Sequence, residues 1–307
     1  MQADTQLTQD NVLERKCLTA SEDMLLAGLV GRGIQRSRTP EMHMAEASAH
    51  GIRSVYKIID FDVFSGREPD LAEILSAAEM TGFNGLNVTY PFKIQVVPLL
   101  DQLSANAKAV GSVNTVVFRD GRRYGHNTDL WGFAESFRRG MEGAARRKVL
   151  LIGAGGAGVA VAHALADLGI ENLLVFDIDP IRAARLVAQL KINRPATTTE
   201  VVDHLDAGTV SGLDGIVNAT PIGMAKAPGS AFPAELLDQA MWVADIVYFP
   251  LETQLLKDAR KIGCRILPGS GMAIFQASRS FELLTDRPAD PERLKTTFDN
   301  FVEPGGT

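Results

Sequence analysis

The sequence predicts an α/β protein of two domains, a small N-terminal α/β domain followed by a doubly wound dinucleotide-binding domain, and three observations carry that expectation. Short apolar runs alternate with helical patterns along most of the 307 residues, the order that builds β-α-β units. Residues 148–158, KVLLIGAGGAG, join an all-apolar strand, a G-x-G-x-x-G turn and a helix start, the layout of a dinucleotide-binding turn. A second apolar run at 173–176 then ends in Asp177, about twenty residues beyond the glycines, where such folds place the acid that bonds the adenosine ribose.

Each glycine of the turn has its own task. Gly153 permits the tight turn, Gly155 lets a pyrophosphate approach the backbone, and Gly158 lets the next helix, expected over 157–168, pack against the strand with its first amides facing the anion. With 31 basic and 37 acidic residues the net charge is -6, which argues against a nucleic-acid or anionic-membrane partner. Two cysteines, Cys17 and Cys264, give no disulfide framework, and five scattered histidines give no metal-ligand pair, so no metal is expected. The N-terminus carries no apolar core of a signal peptide and no stretch reaches membrane-span length, so a cytoplasmic enzyme is the expectation. A homodimer is admitted but not specified.

Along the chain, residues 1–22 are polar and unpatterned and are expected as a leader. A strand follows over 24–30, then a loop through Ser37 and Thr39 into a helix over 40–50 with Pro40 at its first position. Thr39 is the expected N-cap, a contribution of about 1 kcal/mol. A strand over 54–59, a helix over 70–80 and a strand over 85–89 complete a β-α-β-α-β order. Tyr90-Pro91-Phe92-Lys93 opens another helix, 104–110 is a short helix, and 112–118 with 122–124 form a hairpin about Asp120-Gly121. The chain turns helical from Asp129 to about 139. The substrate-binding domain is therefore assigned to 23–128, the cofactor domain to 129–271, and helices over 272–284 and 291–301 are expected to return to the first domain. Within the cofactor domain, helices are expected over 180–190, 233–237 and 251–262, a short segment near 199–202, and strands over 215–218, 241–247 and 264–267.

Outside the glycine turn, polar groups gather at strand ends in SRTPEMH at 37–43, NVTYPFK at 87–93, VNT at 113–115 and GHNTD at 125–129. Strand ends bordering a crevice are where α/β folds bind ligands, and the active site is expected in the cleft between the domains. Lys93 falls in the first turn of its helix, where the positive end of the dipole is expected to lower its pKa from about 10.4. Oxidising a secondary alcohol needs a base beside the hydroxyl. Lys93 serves if a carboxylate orients it, and Asp129 is the candidate, a solvated helix-start aspartate being the plain alternative. Such chemistry suits hydride transfer to a nicotinamide rather than to a flavin.

These strings resemble the shikimate dehydrogenase family: NVTYPFK is similar to its Asn-x-Thr-x-Pro-x-Lys stretch, VNT to its Asn-Thr, GHNTD to its Gly-x-Asn-Thr-Asp, and NATPIGM at 218–224 to its Asn-Ala/Thr-Thr-Pro-x-Gly-Met loop. The similarity runs from about residue 24 to 284. It implies that Lys93 and Asp129 form the catalytic pair, and that Ser37, Thr39, Thr89, Asn114, Tyr248 and Gln276 hold the substrate's carboxylate and ring hydroxyls, with Asn87 nearby. It also implies a cofactor site of Gly153, Ala154, Gly155, Gly156, Ala157, Gly158, Asp177, Arg182, Asn218, Thr220, Ile246, Gly269 and Met272. Two departures bear on specificity. Ser37-Arg-Thr39-Pro replaces the Ser-x-Ser-Pro of most biosynthetic members and is similar to the quinate/shikimate and aminoshikimate branches. Asp177-Ile178-Asp179 stands where the family's Asn-Arg-Thr/Ser run holds the 2′-phosphate of NADP, so NAD is the expected cofactor and NADP the less favoured.

The expected activity is thus NAD-dependent oxidation of quinate or shikimate, a small-molecule reaction. An aminoshikimate or other cyclitol-acid dehydrogenase is the alternative within the same chemistry, and a dinucleotide sensor without turnover the alternative outside it. Tyr90 and Lys93 are one residue too close for the Tyr-x-x-x-Lys pair of short-chain or methylenetetrahydrofolate dehydrogenases.

Overall fold

A computed structural model describes residues 24–300; the leader assigned to 1–22 and the last residue of the expected final helix, Phe301, lie outside the described residues. The near-continuous apolar run of β1 (Met24–Gly31) is buried along almost its whole length, as a strand covered on both faces must be. It pairs in parallel with β2 (Arg53–Asp60) on one side and β3 (Gly85–Val88) on the other. α1 (Thr39–Ala49) and α2 (Leu71–Met80) are the crossovers. α2 opens on a capping box, with Glu73 N–H donating to Asp70 Oδ1 at 2.7 Å and Asp70 N–H to Glu73 Oε2 at 3.0 Å. Next come α3 (Phe92–Gln95), β4 (Gln102–Leu103), α4 (Ala105–Val110), β5 (Thr115–Arg119) and β6 (Arg122–His126). The first sheet runs β2-β1-β3-β5-β6-β4, with β5 antiparallel to β3 and β6. The β5–β6 hairpin turns on Asp120 at φ 53° and Gly121 at φ 66°, the two left-handed residues of a type I′ turn.

α5 (Thr128–Gly140) leads into the second sheet. Its elements are β7 (Lys148–Ile152), α6 (Gly156–Asp167), β8 (Asn172–Phe176), α7 (Pro180–Asn193), β9 (Thr198–Val201), α8 (Ala207–Val210), β10 (Gly215–Asn218), β11 (Trp242–Asp245), α9 (Gln254–Ile262) and β12 (Arg265–Leu267). The order β12-β11-β10-β7-β8-β9 is parallel throughout. From its far edge it reads third, second, first, fourth, fifth, sixth strand, the doubly wound arrangement whose direction reverses between β7 and β10. α10 (Ser270–Thr285) and α11 (Pro291–Asp299) then pack back on α1.

Four expectations need correction. Thr39 is the first residue of α1 and not its cap: Arg38 holds the cap position without a side-chain bond, and the Ser37 hydroxyl takes the Thr39 N–H at 3.3 Å. α3 is a single turn, so the helix dipole invoked for Lys93 is only one turn long. The helix expected over 233–237 is one 3₁₀ turn, Ala234–Leu236. α9 begins at Gln254, because Thr253 caps it and residues 248–252 run as a loop.

α5 and α10 meet at backbone distance. A Cβ on Gly132 would lie 2.8 Å from both Gln276 N and Met272 O, and one on Gly271 would lie 2.2 Å from Ser136 Oγ. Replacing Gly132 by alanine therefore forces the helices apart. The expected cost is about 1–3 kcal/mol, as for other overpacked sites, read as a lowered Tm with a raised KM for the substrate because Gln276 moves with α10. A Tm and KM equal to those of the unaltered protein would show that the helices separate freely.

Candidate active site

The C-terminal ends of β1 and β3 lie side by side, with Thr89 N–H donating to Val30 O at 2.9 Å and Arg32 N–H to Tyr90 O at 3.0 Å. This register brings the loop carrying Ser37 and Thr39 beside the stretch carrying Thr89 and Lys93. Asp60, buried at the end of β2, shapes the first loop: its carboxylate accepts from Gly33 N–H, Ile34 N–H and Gln35 Nε2, each at 3.0 Å, and from Asp62 N–H at 3.1 Å. Burial works against its ionisation, yet the four hydrogen bonds hold the carboxyl below its ordinary pKa. The Ser37 hydroxyl donates to Thr39 Oγ1 at 3.1 Å, so the two expected carboxylate donors form a pair. Below them His43 donates from Nδ1 to Thr39 O at 3.0 Å, and burial pushes its ring down to about 4; it is a neutral core histidine.

Lys93 and Asp129, thirty-six residues apart in sequence, form an ion pair with Nζ 2.5 Å from Oδ2. Asp129 is buried in the first turn of α5, and its other oxygen accepts from Asn114 Nδ2 at 2.9 Å. The Asn114 side-chain carbonyl accepts from Thr128 N–H at 2.8 Å, and Thr128 Oγ1 reaches Gln276 Oε1 at 3.4 Å. Lys93, Asn114, Asp129 and Gln276 are thus brought together in one network. Asn87 sits behind it: Oδ1 accepts from Tyr56 at 2.7 Å, and Nδ2 contacts Thr115 Oγ1 at 3.0 Å and Ser280 Oγ at 2.7 Å. Its amide is engaged within the protein and braces β3 against β2, β5 and α10.

The second domain supplies Tyr248, whose ring packs against Phe298 of α11 at 6.0 Å. Its phenol is pushed up by the surrounding protein and then by the Asp129 carboxylate, although 41% of the residue's surface is exposed. Arg38, between Ser37 and Thr39, stacks 4.5 Å over the Phe298 ring and lies 5.8 Å from that of Phe249. The β1–α1 loop of the first domain and the β11–α9 loop of the second therefore face each other here.

At the glycine turn, Gly153 takes φ 102°, and a Cβ on Gly158 would lie 2.0 Å from Gly153 O, so α6 can start where it does only without one. A Cβ on Gly155 or Gly156 would meet nothing within 4 Å, and no side chain caps α6. An open backbone cradle at the start of a twelve-residue helix fits a pyrophosphate, and with Ala154 and Ala157 flanking it no side chain blocks approach. Asp177 stands at the β8 end as expected, but its oxygens also accept from Ala154 N–H at 2.7 Å and Asp179 N–H at 2.9 Å. It braces the turn while keeping lone pairs that can accept further hydrogen bonds. Arg182 is exposed and drawn to Asp179 at 3.3 Å. Asn218 is fully buried and bonded within the protein, Thr220 bonds back to it, and Gly269 is pressed against Ile246 O, 2.4 Å from where its Cβ would sit. Met272 is buried where α10 crosses α5.

Sequence reading passed over Tyr56, Asp60, Ser280, Asp245 and Thr253. A carboxylate closing an apolar strand, as in Ile58-Ile59-Asp60 and Val243-Ala244-Asp245, was the available signal for two of them. Among the described residues no cluster of three or more His, Cys, Asp or Glu is placed to hold a metal ion, and no helix is long and apolar enough to cross a membrane.

Fold and site define a two-domain dehydrogenase with a nucleotide domain of doubly wound topology. A family model described as the shikimate dehydrogenase substrate binding domain matches residues 29–116, and the ThiF family model matches 127–195. The chain is 47% identical over 283 residues to a quinate/shikimate dehydrogenase (NAD(+)) of Corynebacterium efficiens, covering 91% of this chain and 99% of that protein. It is 46% identical to a shikimate dehydrogenase (NADP(+)) of Streptomyces avermitilis, over 89% of this chain and 94% of that one. Quinate dehydrogenase from Corynebacterium glutamicum, solved in complex with NAD, superposes with a TM-score of 0.86 at 43% identity, over 91% and 100% of the two chains. The chain belongs to the shikimate dehydrogenase family.

Burial pushes Asp245 up to about 6 against the opposing hydrogen bonds from Thr253, Val247 and Asn218. A carboxyl whose folded pKa exceeds its unfolded value contributes stability that is full below about pH 4 and lost as pH rises through 6. The stability of the unaltered protein relative to Asp245→Asn should therefore fall by about 3 kcal/mol between pH 4 and 8. Denaturant midpoints across that range check it, and a difference independent of pH would exclude the raised value.

Proposed function

We propose that this chain is an NAD-dependent dehydrogenase that oxidises a ring secondary alcohol of quinate or shikimate. The observation that carries the reading is the Lys93–Asp129 pair, 2.5 Å long and steadied by Asn114, beside the Ser37–Thr39 hydroxyls and facing the second domain. Residues 23–128, completed by 272–307, act as the substrate domain and 129–271 as the cofactor domain. Ser37 and Thr39 take the substrate's carboxylate, and Thr89, Asn114, Tyr248 and Gln276 take its hydroxyls. Asn87 orients them from behind.

Bound NAD supplies the hydride acceptor. The neutral amine of Lys93, oriented by Asp129, accepts the alcohol proton; in reduction the ammonium returns it. Asn114 keeps Asp129 oriented, so the proton moves along a fixed path. The relatives named for NAD and for NADP leave the cofactor to the local residues, and Asp177 favours NAD: a 2′-phosphate would bring nearly two negative charges against its carboxylate. At ~5 Å and an effective dielectric of ~20 the repulsion is of order 6 kcal/mol, reduced severalfold by salt and solvent.

Initial rates on quinate, shikimate and aminoshikimate with both cofactors test the reading directly; no turnover of any would overturn it. Lys93→Ala and Asp129→Asn should each lower kcat by roughly 10² to 10⁴-fold while NAD binding changes little. Turnover equal to the unaltered protein's would remove that residue from the mechanism. For the cofactor, a preference for NAD of about thirtyfold, worth ~2 kcal/mol, should shrink in Asp177→Asn. Both efficiencies should drop there because the Ala154 amide loses its charged acceptor, so the ratio of kcat/KM values is the measurement, and an unchanged ratio would show that Asp177 does not select.

A further inference from the structure

Asp245, 2% exposed at the end of β11, has no part in the assignments above. Its Oδ1 accepts from Asn218 Nδ2 and from Val247 N–H, both at 2.9 Å, and Oδ2 accepts from the Thr253 hydroxyl at 2.7 Å. Asn218 passes this hold to the turn after β10: its Oδ1 accepts from Thr220 N–H at 3.0 Å and Thr220 Oγ1 at 2.7 Å, and its Nδ2 donates to Ile222 O at 3.0 Å. Gly223, at φ +108°, folds the same turn back on the cluster, with its Cβ position 3.1 Å from Thr253 Cγ2 and 3.9 Å from Asp245 Oδ2. On the other side, Val247 lies between Ile246 and Tyr248.

The topology says which end of the cofactor this turn borders. Asp177 and the adenosine end lie with β8 on one side of β7, and β10 lies on the other, so the 219–224 turn flanks the nicotinamide end of the crevice. A buried acid on three donors is a poor way to add stability, since apolar residues of similar volume serve as well or better. What it supplies is geometry, because a fully satisfied polar network admits one arrangement of its members.

We propose that Asp245 is a positioning residue for hydride transfer: it ties the 219–224 turn beside the nicotinamide to the 246–248 segment that carries Tyr248, and so fixes the distance between cofactor and substrate. The inference rests on the dehydrogenase reading above. Asp245 touches neither reactant and acts through Asn218 and the backbone of Val247. Misplacement of reacting groups by about 1 Å costs on the order of 10²-fold in rate, so loosening the tie lowers kcat more than it raises either KM.

The test compares full-length protein with Asp245→Asn, Asp245→Ala and Thr253→Val. Backbone hydrogen exchange at Thr220 and Val247 is measured without cofactor. Steady-state kinetics and the primary isotope effect, with substrate deuterated at the reacting carbon, are measured beside Tm. In Asp245→Asn, exchange at both amides should quicken, kcat should fall roughly 10- to 100-fold, KM for NAD should change less than about threefold, and the isotope effect should rise. Thr253→Val should move the same readouts less. Should Asp245→Ala not fold, the isosteric Asp245→Asn and Thr253→Val decide. Unaltered exchange at Thr220 and Val247, or a kcat and isotope effect equal to the unaltered protein's whatever the Tm, would overturn the proposal. Absence of turnover in the unaltered protein would overturn the dehydrogenase reading instead, while the exchange comparison would still decide whether Asp245 holds the two segments together.

Discussion

The arrangement of the site depends on how closely α5 and α10 approach. At Gly132 the backbones of the two helices come near enough that a single methyl group would strike Gln276 N and Met272 O. α5 carries Thr128 and Asp129 in its first turn and then enters the cofactor domain, whereas α10 leaves that domain and brings Gln276 back. One crossing therefore sets the two domains against each other and places Gln276 within reach of the network around Asp129. Where the backbones come closest the residues are Gly132, Gly271 and Ser136, because a larger group there would push the helices apart.

Elsewhere the protein commits several buried polar groups, and the way each is satisfied decides what it does. Asp60 and Asp245 are both 2% exposed carboxylates at strand ends. Asp60 lies under the loop of Gly33 and Gln35, and four donors, three of them backbone amides, hold it readily ionised. Asp245 lies at the end of a strand buried along its length, and its three donors do not offset the loss of water. Asp129 differs from both in pairing directly with a cation, Lys93. The same side chain thus shapes a loop, stays largely desolvated at a strand end or pairs with a cation according to its donors and its distance from solvent.

The cofactor turn follows a similar economy of groups. Asp177 accepts from Ala154 and Asp179 amides, so the residue proposed to read the ribose also holds the glycine turn. In the proposed reading, selectivity and turn geometry are therefore coupled, and exchanging the acid alters both.

From the sequence alone the two-domain α/β class, the glycine turn, Asp177 and the motifs of the site were legible, because local patterns encode them: apolar runs give strands, and glycines and prolines mark turns within a few residues. Lys93 and Asp129 could be named as partners only through chemistry and family resemblance, since nothing local specifies a contact across thirty-six residues. The Thr39 cap failed for a tertiary reason, since the Ser37 hydroxyl turns to the Thr39 amide in a loop that Asp60 shapes from another strand. The protein partners of the Asn87 and Asn218 amides were not legible, because they come from elements distant in sequence. Asp245 and Gly132 had no legible function at all, because each acts between elements far apart in the chain, and long-range hydrogen bonds and helix contacts exist only once the elements have packed.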